Sequence, residues 1–499
     1  MLKDIIKKEI LDHLLSAKFV FMFIICSALI LLSVYMGVGD YLADKKVYED
    51  DIAWDNLAMQ PPNTYSILLQ GSLKTYRAPQ TLGALVKGVE DAAGRMSHVI
   101  LTEVGLSESN YESNPLTSVF GAFDLMFIVK MALSLFAILL TYDAICGERE
   151  KGTLKLTLSN SVPRDRLLLG KAIGGYISLC VPLLIPLLLG LIYLSLHPQI
   201  VLTGEDWQRI GFIFFMFLLY LSVFFCLGLL VSSLTMRSST SLLVLIFIWS
   251  VWGMVVPKAS VIIAGHLKPI PVPNEIYAQK TAFANQFSQE MSQALTQKLQ
   301  ELQAQFDMTN MAIRQEYSKA LDELRQELSD ERERKLKESN EKIDRDFQLK
   351  KDAQATLAKN ISRISPASAL TFGATTLART GIDDYYRFVK AAMEYKPVVT
   401  AWLNTNPNLR ESGTPSGSGA VTVSGTVRVA NTLGGVVNTT EQYKQIDTAT
   451  LAGMPRLAIE PENLSSSVNR ILPDLISMIV MIVFLMGGAY FAFIRCDVR

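Results

Sequence analysis

The chain has 499 residues, half of them hydrophobic and 19% charged, and its 47 Lys and Arg balance its 47 Asp and Glu. So low a charge density with a mean hydropathy of +0.27 excludes an ordinary soluble protein of this length, and the zero net charge gives no pull toward nucleic acid or an acidic ligand. Five cysteines, an odd number with no close pair, exclude both a complete disulfide framework and a cysteine metal motif.

Taken in chain order, residues 1–18 place Ile5, Ile6, Ile10, Leu11, Leu14 and Leu15 at helical spacing with lysines between them. That pattern predicts an amphipathic helix on a membrane surface. Six stretches then reach the roughly 20 apolar residues that a membrane-crossing helix requires: 19–38, 119–142, 173–196, 210–233, 240–256 and 471–494. The first is too long for a signal peptide and no small-x-small cleavage site follows it, so it is read as retained. The fifth ends at Pro257-Lys258, with Trp249 and Trp252 near that end at headgroup level and residues up to 263 along the interface.

Basic residues set the orientation. Lys3, Lys7, Lys8 and Lys18, then Arg149, Lys151, Lys155, Arg164, Arg166 and Lys171, then Arg237, Arg495 and Arg499 all fall on one side. The loop 197–207 on the other side holds Glu205 and Asp206 without Lys or Arg. Both termini are therefore expected in the cytoplasm of a multi-pass protein of a prokaryotic cytoplasmic (inner) membrane.

Two long segments must face outward. Residues 39–118 are mixed polar, with a turn at Pro61-Pro62-Asn63. Residues 264–470 form a domain-sized insertion. Phe287, Met291, Leu295, Leu299, Leu302 and Phe306 recur at helical spacing, a break is expected near Asp307-Met308-Thr309-Asn310, and Ile313, Tyr317, Leu321, Leu324 and Leu328 resume the pattern. Residues 330–346, dense in alternating charge, read as a solvated helix face or, more sharply, as a docking stalk for an extracytoplasmic partner. Residues 411–437 turn to Gly, Ser, Thr and Val, which fits a loop or small β-hairpin. The fold class is thus an all-α polytopic membrane protein with a large, mainly helical external domain.

The chain contains no Gly-x-x-x-x-Gly-Lys-Ser/Thr phosphate loop, no Gly-x-Ser-x-Gly elbow and no His-Glu-x-x-His helix, and its four histidines lack metal-ligand spacing. Met478, Met481 and Met486 in the last span read as packing residues rather than copper ligands. An enzyme acting alone is disfavoured, and no cofactor is expected in this chain.

Residues 141–171 connect the second and third spans. Glu148-Arg149-Glu150-Lys151 is a charge cluster just outside the apolar run, Gly152 permits a sharp change of direction, and Thr153 can cap the short helix after it. Asn160-Ser161 turns the chain, and Pro163 suits a first helical position. The result is a short helix held parallel to the membrane under two spans.

The run Gly-Glu-Arg-Glu-Lys-Gly-Thr-Leu from Gly147, followed by Leu-Ser-Asn-Ser-Val-Pro-Arg and Leu-Leu-Gly-Lys171, resembles the signature of type-2 ABC exporter permeases. The run 364–370 with Leu377-Ala378-Arg379-Thr380-Gly381 resembles the branch with a large external insertion. The resemblance implies that this segment is a coupling helix docking into a separate ABC ATPase subunit, which would bind ATP and Mg. It implies docking roles for Glu148, Glu150, Gly152 and Thr153, with support from Arg149 and Arg164, and pairing with a second copy or a related permease among membrane lipids.

Lys130 lies within the second span, where a lysine costs about 2.5–3.5 kcal/mol on insertion scales. Asp124 and Asp474 are the candidate partners; substrate contact, snorkelling and a structural bond all remain open. Two functions stand against each other: a permease subunit that exports or extracts a substrate, and a membrane-anchored mechanical or sensory protein whose external domain acts on an envelope partner.

Overall fold

The computed structural model describes residues 2–58, 73–90, 96–99, 104–106, 123–159, 163–305, 311–405, 428–430, 436–438, 455–457, 459 and 462–495. The expected turns at Pro61-Pro62-Asn63 and Asn160-Ser161, the break at Asp307–Asn310 and most of the Gly/Ser-rich stretch lie outside the described residues. The protein is an all-α polytopic membrane protein with six helices long and apolar enough to cross a membrane. Two compact units divide it, one of residues 1–253 with 366–499 and one of residues 254–365.

In the first unit, α1 (Leu2–Leu14) precedes α2 (Ala17–Ala58). The second helix does not stop with its apolar run at Val38. It continues to Ala58 because the charged residues that follow include no helix breaker after Gly39. Gly37 on α2 lets the chain meet a short 3-10 turn, Thr81–Ala84: a Cβ there would fall 2.0 Å from the Ala84 carbonyl oxygen. Strands β1 (Leu73–Tyr76), β2 (Met96–Val99) and β3 (Val104–Leu106) form an antiparallel sheet with Leu73 opposite Val99 and Ser97 opposite Leu106. This sheet was not foreseen in the sequence: its strands are three or four residues long, too short for an alternating pattern to register.

The second span, α3, is built from Leu125–Ile128, a π-helical turn Val129–Leu133 and Ser134–Thr141. After it come the short helices α4 (Cys146–Glu150) and α5 (Thr153–Ser159), then the spans α6 (Arg164–Ser195) and α7 (Gly204–Leu234). A capping box starts α7: the Asp206 N–H donates to the Thr203 hydroxyl at 3.2 Å, and the Thr203 N–H donates to the Asp206 carboxylate at 2.9 Å. This helix is the centre of the bundle, its Phe217, Tyr220, Leu221 and Phe224 buried with Phe136 and Leu133 of α3. The fifth span starts as α8 (Ser238–Ser250), and the sixth is α14 (Leu464–Arg495). Both bury little of their apolar surface, leaving residues such as Leu243, Phe247, Val483 and Phe484 exposed on lipid-suited faces.

Part of the insertion sits among the spans. Helix α12 (Pro366–Ala378) packs against α7 and α14 and is buried along nearly all its length. Its small residues permit this closeness: a Cβ on Gly373 would lie 2.0 Å from the end of Met216. Met216 is twelve residues into α7, about 18 Å along the helix at 1.5 Å per residue. Above it, Arg209 is fully buried. It donates to Glu205 at 2.8 Å, to the carbonyls of Leu377 and Glu462 at 3.0 and 2.6 Å, and to the Ser467 hydroxyl at 3.1 Å. Arg379, at φ 60, shares Glu205 at 2.8 Å and the Glu462 carbonyl at 2.9 Å. The second signature run therefore ends in a polar knot that fixes α12 and the start of α14 to α7. Beyond it, α13 (Ile382–Thr405) lies against β2 and β3, and β4 (Arg428–Ala430) pairs with β5 (Val436–Asn438), as the hairpin reading expected.

The second unit contains α9 (Val256–Leu267), α10 (Pro273–Gln305) and α11 (Met311–Ser362). The last two run antiparallel, joined by Lys280–Asp344 at 2.6 Å, by Lys298–Glu327 at 3.6 Å, and by Lys335 set 5.2 Å from the Phe287 ring. Thirty-three residues make α10 about 50 Å long. The charged run 330–346 behaves as a solvated face, with Glu331 and Lys335 paired at 2.8 Å along one helix.

Candidate coupling segment

The segment after α3 is fastened to the bundle at each step. Lys18 of α2 donates 2.9 Å hydrogen bonds to the Tyr142 hydroxyl and to Asp143. The backbone N–H groups of Ile145 and Cys146 donate to the Ser232 hydroxyl of α7, at 3.0 and 3.2 Å. Arg149 then donates to the carbonyls of Thr235 and Ser233 at 3.2 and 3.5 Å, satisfying the open end of α7. Glu150 accepts from the N–H and hydroxyl of Ser238, at 3.2 and 2.9 Å, at the first turn of α8, where a carboxylate suits the helix dipole. Arg164 donates to the carbonyl of Ile494 at 2.7 Å, joining the start of α6 to the end of α14.

Glu148 turns the other way. It accepts a 2.8 Å bond from Lys171 of α6, which is 5% exposed, and the same ammonium donates at 2.8 Å to Glu9 of α1. Two carboxylates from different elements thus share one buried ammonium. α1 reaches that position because Gly170 and Gly174 line the facing side of α6, while Gly175 gives room to Phe225 of α7. A Cβ on Gly170 would fall 2.4 Å from Ile5, and one on Gly174 would fall 2.8 Å from Glu9. The amphipathic helix therefore packs one face on α6, where the sequence suggested only a membrane surface. Burial lowers the pKa of His13, one turn on from Glu9 and 3.8 Å from its carboxylate.

Gly152 stands at φ +73, the left-handed region that its sequence position anticipated. Thr153 does not cap α5 forward. Its hydroxyl donates back to the Glu148 carbonyl at 3.2 Å, closing the turn between α4 and α5. On α5, Leu154 is 1% exposed, sealed with Ile145, Leu167, Leu168 and Phe493, whereas Leu156 is 68% exposed beside exposed Thr153 and Lys155. One leucine pins the helix beneath the spans and the other is presented outward.

The intramembrane charges sit in different settings. Asp124 caps α3, accepting from the N–H groups of Phe127 at 2.8 Å and Lys87 at 3.1 Å. Lys130 lies in the π-helical turn, and its carbonyl accepts from the Tyr220 hydroxyl at 2.8 Å; among the described residues no ion pair joins its ammonium to Asp124 or Asp474. Asp474 is buried in α14.

Lys171 and Glu9 were missed as site residues because their spacing to Glu148 carries no motif. The available signal was Gly170-x-x-x-Gly174, a small-residue stripe that invites a second helix.

The ABC-2 family transporter protein profile matches residues 4–498. A relative from Pseudomonas aeruginosa, named as the probable ABC transporter permease protein NosY, is 29% identical over 150 residues. That match covers 29% of this chain and 54% of the relative, so the chain spans about half of that protein's length.

Proposed function

Because this chain belongs to the ABC-2 family of transporter proteins, we propose that it is a permease subunit whose partner ATPase docks on the outward face of α5 and drives export or extraction of a substrate. The observation that carries this reading is the division of α5 between sealed Leu154 and exposed Leu156. An apolar side chain held rigidly outward beside Lys155 is the kind of anchor a partner cleft takes up. Glu148, Arg149, Glu150 and Arg164 bond to this chain's own helices, so their role is to fix the segment's shape, while Thr153, Lys155 and Leu156 make the contact. ATP and Mg belong to the partner, both termini lie in the cytoplasm, and a second permease completes the assembly in the inner membrane.

Mild-detergent purification of the tagged protein from its native membrane tests this. A soluble subunit bearing a phosphate-binding loop should accompany the wild type and be lost from Leu156→Asp. Its absence from the wild type, even after crosslinking, overturns the reading. The length of α10 and α11 favours one rival, a lever acting on an envelope partner. Substrate movement retained after deletion of residues 287–359 would exclude that rival.

A further inference from the structure

We propose that Lys171 is a positioning residue, the joint through which displacement of the α4–α5 segment is passed to α1 and α6. The inference rests on the docking of an ATPase at α5. α1 has no other buried ionic tie among the described residues: its remaining contacts with α6 are the glycine groove under Ile5, Ile6 and Glu9. Ile5 and Glu9 seat in the space these glycines leave, which holds α1 on α6 but ties it to nothing on the α4–α5 segment.

The ion triad supplies what the groove lacks. If the docking segment shifts and takes Glu148 with it, the Lys171 ammonium must follow or lose one of its two carboxylates in a buried site. A buried charge stripped of a partner is strongly penalised, so the shared ammonium favours movement as one body. Arg149 and Glu150 fasten the same segment to α7 and α8. A push at α5 is therefore divided between the central spans and, through Lys171, the surface helix and third span. Such transmission needs an element whose arrangement both ends bias, and the Glu9–Lys171–Glu148 triad is that element.

The test uses the full chain with its co-purified ATPase in lipid nanodiscs. Spin labels placed bio-orthogonally at exposed Lys8 and Lys151 leave the native cysteines untouched. In the wild type the label distance should be narrow and the same with and without trapped ATP, since both sites ride on one body. Glu9→Gln, which severs only the α1 arm, should broaden that distance on ATP trapping. It should also lower permease-stimulated ATP hydrolysis about tenfold, within the usual range of coupling between sites. Lys171→Arg in the wild-type chain, which keeps both ion pairs, should leave both readouts as in the wild type. If Glu9→Gln leaves the distance narrow and the stimulation intact while only thermal stability falls, Lys171 is merely structural and the proposal is overturned. A wild-type complex in which the permease does not stimulate ATP hydrolysis overturns the docking reading itself, and this inference with it.

Discussion

Lys171 and Glu148 meet at 2.8 Å although they lie on opposite sides of α5 in sequence, and the same ammonium is held by Glu9. Removing the cation leaves two carboxylates facing each other in a buried site. Lys171→Met, close in length but uncharged, is expected to destabilise the protein by about 3–5 kcal/mol. Lys171→Arg should be far milder, since the guanidinium can still bond both carboxylates. Thermal melting of the detergent-solubilised protein, followed by size-exclusion chromatography, measures this. Equal melting of the Met variant and the wild type would show that the triad contributes little.

Gly152 isolates a backbone effect from a packing effect. At φ +73 a Cβ would meet nothing within 4 Å, so Gly152→Ala introduces no clash. It still places an L-residue in the left-handed region, at a cost of about 1–2 kcal/mol. The expected result is a displaced α5 in an otherwise intact bundle. Protease sensitivity at Lys151 and Lys155 should rise while the melting temperature changes little. A variant as resistant as the wild type would mean that the turn adopts another route without penalty.

What the sequence made legible was whatever rests on a long period or a strong local rule. Six apolar runs, the Gly152 turn and the helical periodicity from Phe287 each announce themselves within their own segment. What stayed hidden depends on partners far apart in the chain. Arg209 takes three of its bonds from residues more than 150 positions away, and Glu9 meets Lys171 across 162 positions. Glu148 and Glu150 read as a surface charge cluster because a short run of alternating charge does not show which distant helix each carboxylate meets, α6 for one and α8 for the other. Helix α12 was counted with the external insertion because small residues at 366–378 lack the hydropathy of a span, and that smallness is what seats it against Met216.

Gly37 predicts a steric failure at the other end of the bundle. A Cβ there would sit 2.0 Å from the Ala84 carbonyl oxygen, which is backbone and has no flexible end to swing away. Gly37→Ala must therefore push the 3-10 turn off α2, at a cost of about 1–3 kcal/mol. Hydrogen exchange should speed up at residues 81–90 while α5 and α6 keep wild-type protection. Uniform loss of protection across the bundle would contradict this local account.

His13 makes the seating of α1 dependent on pH. Burial holds the folded imidazole below its ordinary value of 6.5, Lys171 acts in the same sense, and Glu9, Asp143 and Asp12 oppose them. When α1 leaves its groove, the ring becomes wet and takes up its proton near 6.5. Between the depressed folded value and 6.5 the detached state binds more protons than the packed one. Seating is accordingly strongest above about pH 6.5 and weakens as pH falls through that window, levelling off below it. Hydrogen exchange of residues 2–14, corrected for the intrinsic rate, should show falling protection from about pH 7.5 to pH 5.5, a range that brackets the ordinary histidine value. His13→Gln, which cannot titrate, should flatten the curve. A slope that survives in His13→Gln would show that the imidazole does not set the pH response.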